Sequence, residues 1–390
     1  MQKESMKESF KRVNSEYKPL ISTIIPYYNT KLAFFKDTIE SLLSQSYINW
    51  EAIIVNDGSN IKSRLDLENF INNINDKRIS IINLDKNSGT SVACNLGIEA
   101  SKGDIITQLD SDDLYLPWCY EDVKNSFLSN PNCSILFQHC YFYLDPCIVK
   151  KIWVNNSFSK LLNELNRLKK EEKLDYLLKK VKVIRGTICP IIFLKREIFT
   201  KICFDPELKA WEDTDLHLQI FNTDEFLENL ITSSKIGYLY RIHSSGNRVS
   251  TKVDLELKAK ERMIDKYRDE NIFAYKMISH WQSTSNGWKF CKLVNEYLQS
   301  GSILRFLKGV FYQYSSLKDR IKAIRFLLDT ILQIYYSRLN TRFKLTHFRL
   351  VFLKVNNEIK NLEKIFRNYL GYHRDEKTKF YAERIYKRIF

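Results

Sequence analysis

The segment Asp104-Ile105-Ile106-Thr107-Gln108-Leu109-Asp110-Ser111-Asp112-Asp113 decides how the first half of the chain is read. A short apolar run bounded by turn residues, here Asp104–Leu109, reads as a buried strand. Three carboxylates then crowd one tight turn, where they repel each other at neutral pH unless a cation sits among them. Hard divalent ions take oxygen ligands, and Mg2+ commonly combines one or two carboxylates with substrate phosphates. A solvated acidic loop, or a helix N-terminus that favours negative charge, accounts for the same residues without a metal.

Upstream, the same grammar repeats. Leu20–Ile25 is an apolar run ended by Pro26, Glu51–Val55 is ended by the turn Asn56-Asp57-Gly58-Ser59, and Ile79–Leu84 is a third run. Between them, Thr30–Ser46 carries Leu32, Phe35, Ile39, Leu42 and Leu43 at helical spacing, a polar helix follows strand two, and another helix runs through Val92–Ala100. Four strands alternating with helices predict a parallel α/β sheet. In open sheets of this kind ligands bind at the carboxyl ends of the strands, which is where the polar motifs fall.

Downstream, Cys133–Leu144, Ile184–Leu194 and Leu230–Ile242 read as further strands, and Asn156–Lys182 as a charged helical insertion. After about Ser250 the pattern turns mainly helical, with an apolar stripe from Ile303 to Tyr335 that reads as a packed helix or helix pair. The division expected is a polar extension at 1–18, an α/β unit at 19–250 and a basic helical region at 251–390.

Charge follows that division. Residues 1–250 hold 32 Lys and Arg against 32 Asp and Glu, so the net +15 of the whole chain arises in residues 251–390. Such asymmetry marks a surface that meets something anionic. No nucleic-acid-binding motif accompanies it, so a nucleic-acid partner is not expected. The eight cysteines contain no CxxC pair and read as free thiols of a reducing compartment. The charged first residues do not read as a signal peptide, and no run of about 18 apolar residues predicts a membrane span.

Other motifs admit two readings each. Asp57 either shapes its turn or accepts a hydrogen bond from a nucleobase. In Trp211-Glu212-Asp213-Thr214-Asp215 the acids either start a helix or supply a general base. His243, in Arg241-Ile242-His243, is either structural or a ligand, and Asn87-Ser88-Gly89 is at least a loop-to-helix junction. Neither G-x-G-x-x-G after strand one nor G-x-x-x-x-G-K-[ST] is present, which removes dehydrogenase and P-loop readings.

Taken in order, Ser22-Thr23-Ile24-Ile25-Pro26-Tyr27-Tyr28-Asn29, Val55-Asn56-Asp57-Gly58-Ser59, Asn87-Ser88-Gly89 through Asn95-Leu96-Gly97, Leu109-Asp110-Ser111-Asp112-Asp113, Phe204-Asp205-Pro206-Glu207-Leu208 and Glu212-Asp213 resemble family 2 glycosyltransferases of the GT-A fold, over about residues 19–250. The resemblance implies a Rossmann-like, mostly parallel central sheet followed here by the helical region. It implies that Pro26, Tyr28, Asp57, Asn87, Asp110 and Asp112 bind a nucleotide-sugar, most often UDP-linked. Asp112, Asp113 and His243 would hold Mn2+ or Mg2+, and Asp213 would act as general base with Glu212 beside it. Where the family usually carries Arg before the second Asn, this chain has Cys94.

The activity implied is inverting transfer of a hexosyl or N-acetylhexosaminyl group to a glycan or lipid-linked acceptor, in making a cell-surface polysaccharide or glycolipid. Transfer to a peptide side chain is the alternative among enzymes. A catalytically silent, membrane-associated assembly partner is the alternative of another class. The place expected is the cytoplasm, peripheral at the membrane face. There residues 251–390 would meet an anionic surface, with the tail stripe Tyr381, Ile385 and Ile389 flanked by Lys377, Arg384, Lys387 and Arg388.

Overall fold

The computed structural model describes residues 18–144, 147–152, 192–221, 230–242, 253–268, 349–371 and 375–389, with a few single positions besides. The first half follows the predicted alternation: β1 (Ile21–Tyr27), α1 (Leu32–Leu43), β2 (Trp50–Asn56), α2 (Ile61–Ile74), β3 (Ile79–Asn83), α3 (Thr90–Ala100) and β4 (Ile105–Gln108). β3, β2, β1 and β4 lie side by side and all parallel, with Ile24 level with Ile53 and Gln108. Along β1 and β2 the side chains alternate between two apolar layers, as a strand's period of two requires. Ile21, Ile25, Ala52 and Ile54 pack beneath α1 and α2, whereas Ile24, Ile53 and Val55 meet Ala93 of α3 on the opposite face. Both faces are covered, which is why these strands read as near-continuous apolar runs.

Turn chemistry sets the joints. Asn60 caps α2 by accepting from the Ser63 N–H (2.9 Å), and Asn75 ends it at φ +50°. Gly97 is needed because a Cβ there would meet Ile24 Cγ2 at 2.4 Å, so α3 lies tight on β1.

Beyond β4 the chain continues as β5 (Leu114–Tyr115), α4 (Cys119–Ser129), β6 (Ile135–Leu144), β7 (Cys147–Ile152), β8 (Ile192–Lys195), α5 (Glu212–Phe221) and β9 (Leu230–Ile242). The sheet runs β3-β2-β1-β4-β8-β6-β9-β5, with β7 also on β6, nine strands among the described residues. The expectation of a mostly parallel sheet holds for the first four strands. In the second half β8 is antiparallel to β4 and β6, and β5 is antiparallel to β9. A two-residue strand such as β5 carries no period, so only its partner strand defines it.

Three described helices follow, α6 (Val253–Tyr267), α7 (Arg349–Gly371) and α8 (Glu376–Ile389), as the helical reading of the C-terminal region expects. The tail stripe does something different from what was expected. Ile385 and Ile389 are buried with Ala382 against Leu114, Leu116, Trp118, Leu239 and, on α7, Phe366, and Tyr381 packs on the main core. The domain itself covers that face, so it is not available to enter a head-group layer; Lys377, Arg384, Lys387 and Arg388 of α8 stay exposed, and so does Phe380 (53%). The 156–182 insertion and the Ile303–Tyr335 stripe lie almost wholly outside the described residues, and His243 entirely so. Among the described residues no helix is long and apolar enough to cross a membrane.

Candidate active site

The carboxyl ends of β1, β2 and β4 form one edge. Tyr28, just past β1, is 46% exposed, and Pro26 is half-buried in the strand before it. Asn29 takes φ +50°, and its Oδ1 accepts from the Asn60 N–H (3.0 Å) and side-chain amide (2.7 Å), which ties the β1 loop to the β2 loop. Gly58 cannot be replaced freely. It sits at φ +63°, and a Cβ there would lie 2.2 Å from the Lys86 carbonyl carbon.

Asp57 is buried, and both of its carboxylate oxygens are engaged. Oδ1 accepts from the Ser88 N–H (2.6 Å) and Oδ2 from the Gly89 N–H (2.9 Å), just ahead of α3. The Asn87 side-chain amide donates back to the Asp57 carbonyl (3.4 Å). The turn-shaping reading of Asp57 therefore describes what it does in this structure, and each oxygen keeps a second lone pair for a ligand.

The acidic turn has an outer and an inner part. Ligand oxygens of Asp110, Asp112 and Asp113 all lie within 4.8 Å of one another, a hard-oxygen set that suits Mg2+ or Mn2+. Asp110 and Asp112 are half-buried, and Asp110 Oδ1 accepts from Gln108 Nε2 (3.0 Å). Asp113 is turned inward, where it accepts from the Tyr238 hydroxyl and from the Arg241 N–H (2.6 Å). Burial, then the charges of Asp112 and Asp110, push the Asp113 carboxyl well above its ordinary range, against those two hydrogen bonds. A cation in the turn would oppose that shift.

The second acid set arrives on α5. Trp211, immediately before it, sits at φ +64°, a conformation rare for a bulky side chain. Asp213 Oδ1 accepts from the N–H and the hydroxyl of Thr214, so its carboxylate is held at the helix start. Glu212 keeps part of its surface open, yet protein atoms enclose it on most sides. Burial, then Asp213 and more weakly Asp110, push its carboxyl up to about 8. Asp215, by contrast, faces the interior, where it pairs with Lys266 (2.8 Å) and accepts from the Tyr267 hydroxyl (2.6 Å).

Cys94 reports the convergence of these parts. It is fully buried on α3, and its thiol is pushed well up by burial and then by the charges of Glu212, Asp110 and Asp57. Three acids 53 to 155 residues apart in sequence thus bear on one atom (57 to 110, and 57 to 212). Behind them, Asp213 and His217 reach a cavity of ≈ 20 Å³ lined mainly by Ile24, Ile106, Ile192 and Leu194. It has room for about one water and is too small for a larger ligand. Burial lowers the His217 pKa, with Asp213 opposing.

Several contributing residues were given no role of their own by the sequence, although Asn95 and Arg241 lie in motifs it quoted. Asn95 bridges α3 to the Phe204 backbone (2.8 and 3.1 Å), and the Ser91 hydroxyl donates to the Leu208 carbonyl (2.9 Å), so α3 holds the loop that leads into α5. Lys209 on that loop donates to the Ser88 carbonyl. Thr38 on α1 donates to the carbonyls of Asp113 (2.8 Å) and Ser111 (3.1 Å), and Arg241 Nε donates to the Asp112 carbonyl (2.7 Å). A polar residue beside the apolar stripe of an amphipathic helix, such as Thr38 next to Phe35, Ile39 and Leu42 on α1, is the signal that could have marked one of them.

Comparison with known proteins gives the following. Residues 22–199 match the family described as Glycosyl transferase family 2. The chain is 35% identical over 125 residues to TuaG of Bacillus subtilis, named for teichuronic acid biosynthesis, covering 32% of this chain and 47% of TuaG. It is 30% identical over 202 residues to WcaA of Escherichia coli, named for colanic acid biosynthesis, covering 52% of this chain and 66% of WcaA. The chain thus spans about half the length of TuaG and of a Haemophilus influenzae glycosyltransferase it also matches (47% and 44%). Among solved structures, S. aureus TarS 1-349 in complex with UDP-GlcNAc aligns at TM-score 0.45 and 17% identity, over 84% of this chain and 94% of that one.

Proposed function

Since residues 22–199 belong to glycosyl transferase family 2, we propose that the chain is an inverting glycosyltransferase that moves a sugar from a nucleotide-sugar, UDP-linked, to a hydroxyl of a glycan or lipid-linked acceptor. The reading takes residues 19–250 as the transferase unit. The observation that carries it is the acidic turn at the carboxyl end of the parallel strands, where ligand oxygens of Asp110, Asp112 and Asp113 lie within 4.8 Å of one another. The names of TuaG and WcaA support polysaccharide synthesis as the setting.

In this reading the exposed Tyr28 ring and Pro26 receive the base, with Asp57 and Asn87 bracing the loop opposite. Asp110 lies toward the ribose. Asp112, with Asp113 behind it and His243, would hold the divalent ion. When bound, that ion supplies positive charge against the leaving diphosphate. Asp213 takes the proton of the acceptor hydroxyl as its oxygen bonds to the anomeric carbon, and the bond to the nucleoside diphosphate breaks on the opposite face. Glu212, whose carboxyl burial and then Asp213 hold up at about 8, stands beside the base. A positioned base contributes roughly 10²–10⁴-fold.

The outer face of α7 and α8 exposes Lys360, Lys364 and Lys387. We read it as an electrostatic contact to an anionic membrane surface on the cytoplasmic side, without insertion. The test of the function is release of nucleoside diphosphate from a panel of nucleotide-sugars, with and without Mn2+ and acceptor glycans. One donor turned over in a chelator-sensitive way supports the reading, and no turnover of any donor refutes it.

A further inference from the structure

A line of charged contacts runs from the acidic turn to the end of the chain, and transfer chemistry does not account for it. Arg241 on β9 is fully buried, with its guanidinium 4.7 Å from the centre of the Phe34 ring. Its N–H donates to Asp113, its Nε to the Asp112 carbonyl, and its Nη2 to Asp37 Oδ2 (2.8 Å). The same Asp37 oxygen accepts from Nε of Arg388 on α8 (3.2 Å). One turn earlier on α8, Arg384 meets both oxygens of Glu40, at 3.0 and 2.8 Å. α1 therefore holds the acidic turn through Thr38 on one side and is gripped by α8 through Asp37 and Glu40 on the other.

Apolar packing alone explains why α8 docks, since Ala382, Ile385 and Ile389 are buried whether or not the arginines are present. It does not explain why two arginines reach the two α1 acids that flank Thr38. A buried guanidinium needs a compensating anion, and Asp37 provides it. Because Arg388 shares that anion, the place of Asp37, and with it the place of Arg241 and the Asp112 carbonyl, depends on α8.

We propose that the C-terminal helix α8 is a positioning element for the Asp110–Asp113 turn, acting through Arg388, Asp37 and Arg241. Its consequence for catalysis rests on the transferase reading above, whereas its structural content does not. A chain with α8 docked would hold the turn in one place, and a chain with the pairing broken would leave it looser while the sheet stays folded.

Amide hydrogen exchange on the full chain tests this, using Arg388→Gln, Asp37→Asn and Asp37→Glu. The reporter is the Asp113 N–H, which donates to the Asp110 carbonyl (3.1 Å). Arg388→Gln should speed exchange there severalfold, the factor for loss of a partly exposed ion pair, and Asp37→Asn by about tenfold or more, because it also strips the buried Arg241 of its anion. Exchange in β1, β2 and α8 should stay at the parent's rate, and Asp37→Glu should lie between. Mn2+ bound to the free protein, followed by electron paramagnetic resonance, should require a severalfold higher half-saturating concentration in both variants.

Unchanged exchange at residues 111–113 in Arg388→Gln overturns the proposal. So does faster exchange spread evenly through the sheet, since that marks a stabilising role only. Should Asp37→Asn fail to fold, Arg388→Gln and Asp37→Glu still decide. Failure of the parent to turn over any nucleotide-sugar would refute the transferase reading and leave the exchange result standing.

Discussion

Replacing Glu212 by Gln should make the protein more stable relative to its parent as pH rises. The carboxyl sits at about 8 in the folded chain because burial, then Asp213 and Asp110, disfavour its charge. In the unfolded chain it returns to about 4.3. The folded state therefore binds the extra proton between those two values. The contribution of Glu212 is most favourable below about pH 4.3 and is lost as pH climbs through about 8. The folded and unfolded values differ by about 3.7, and at about 1.36 kcal/mol for each the full swing is about 5 kcal/mol. Part of Glu212 faces solvent, so screening reduces this to on the order of 2–4 kcal/mol. Glutamine keeps the shape and the hydrogen-bonding capacity without the charge. Thermal unfolding of both proteins at pH 5.5, 7 and 9 in chelator should show a difference that grows by several degrees in favour of Gln. Adding Mn2+ should shrink it, since a cation near Asp110 draws the Glu212 pKa down. Curves that stay parallel from pH 5.5 to 9 would refute the reasoning, because they would mean that Glu212 is solvated and ordinary.

Asp112→Ala should remove most transfer at every Mn2+ concentration while leaving thermal stability within about 1 kcal/mol, as for substitutions away from the core; full activity of the parent in chelator would contradict the metal assignment. Asp213→Asn should bind donor as the parent does, by calorimetry, and lose about 10²–10⁴-fold in turnover; near-normal turnover would move the base to another residue. Gly58→Ala should destabilise by about 1–3 kcal/mol, since φ +63° and the Lys86 contact both oppose a side chain; a measured loss under 0.5 kcal/mol would show that the loop simply shifts. Full-length protein should sediment with anionic vesicles and not with neutral ones, and lose that binding as salt rises; equal binding to both vesicle types would remove the basic face as an anchor.

Much of the first half was legible because local spacing carries it. The apolar runs Leu20–Ile25 and Glu51–Val55, each closed by turn residues, leave little choice but buried parallel strands with helices between, and Ile79–Leu84 supplies the half-exposed edge strand beside them. The acidic turn and the Glu212-Asp213 pair were likewise visible, since strand ends and helix starts have recognisable residues. Other features depended on which elements meet. Asp57 engages the N–H groups of Ser88 and Gly89, and Asp113 engages Tyr238 and Arg241, partners up to 128 residues away. The tail stripe shows the difference most plainly. Helical spacing of Tyr381, Ile385 and Ile389 fixes that one face of α8 is apolar, but an apolar face is satisfied equally by lipid or by protein. Only the folded domain, which brings Leu114, Trp118 and Leu239 to that place, decides that protein covers it. The proton on Glu212 belongs to the same class, since its affinity is a sum over burial and neighbours that the chain order does not contain.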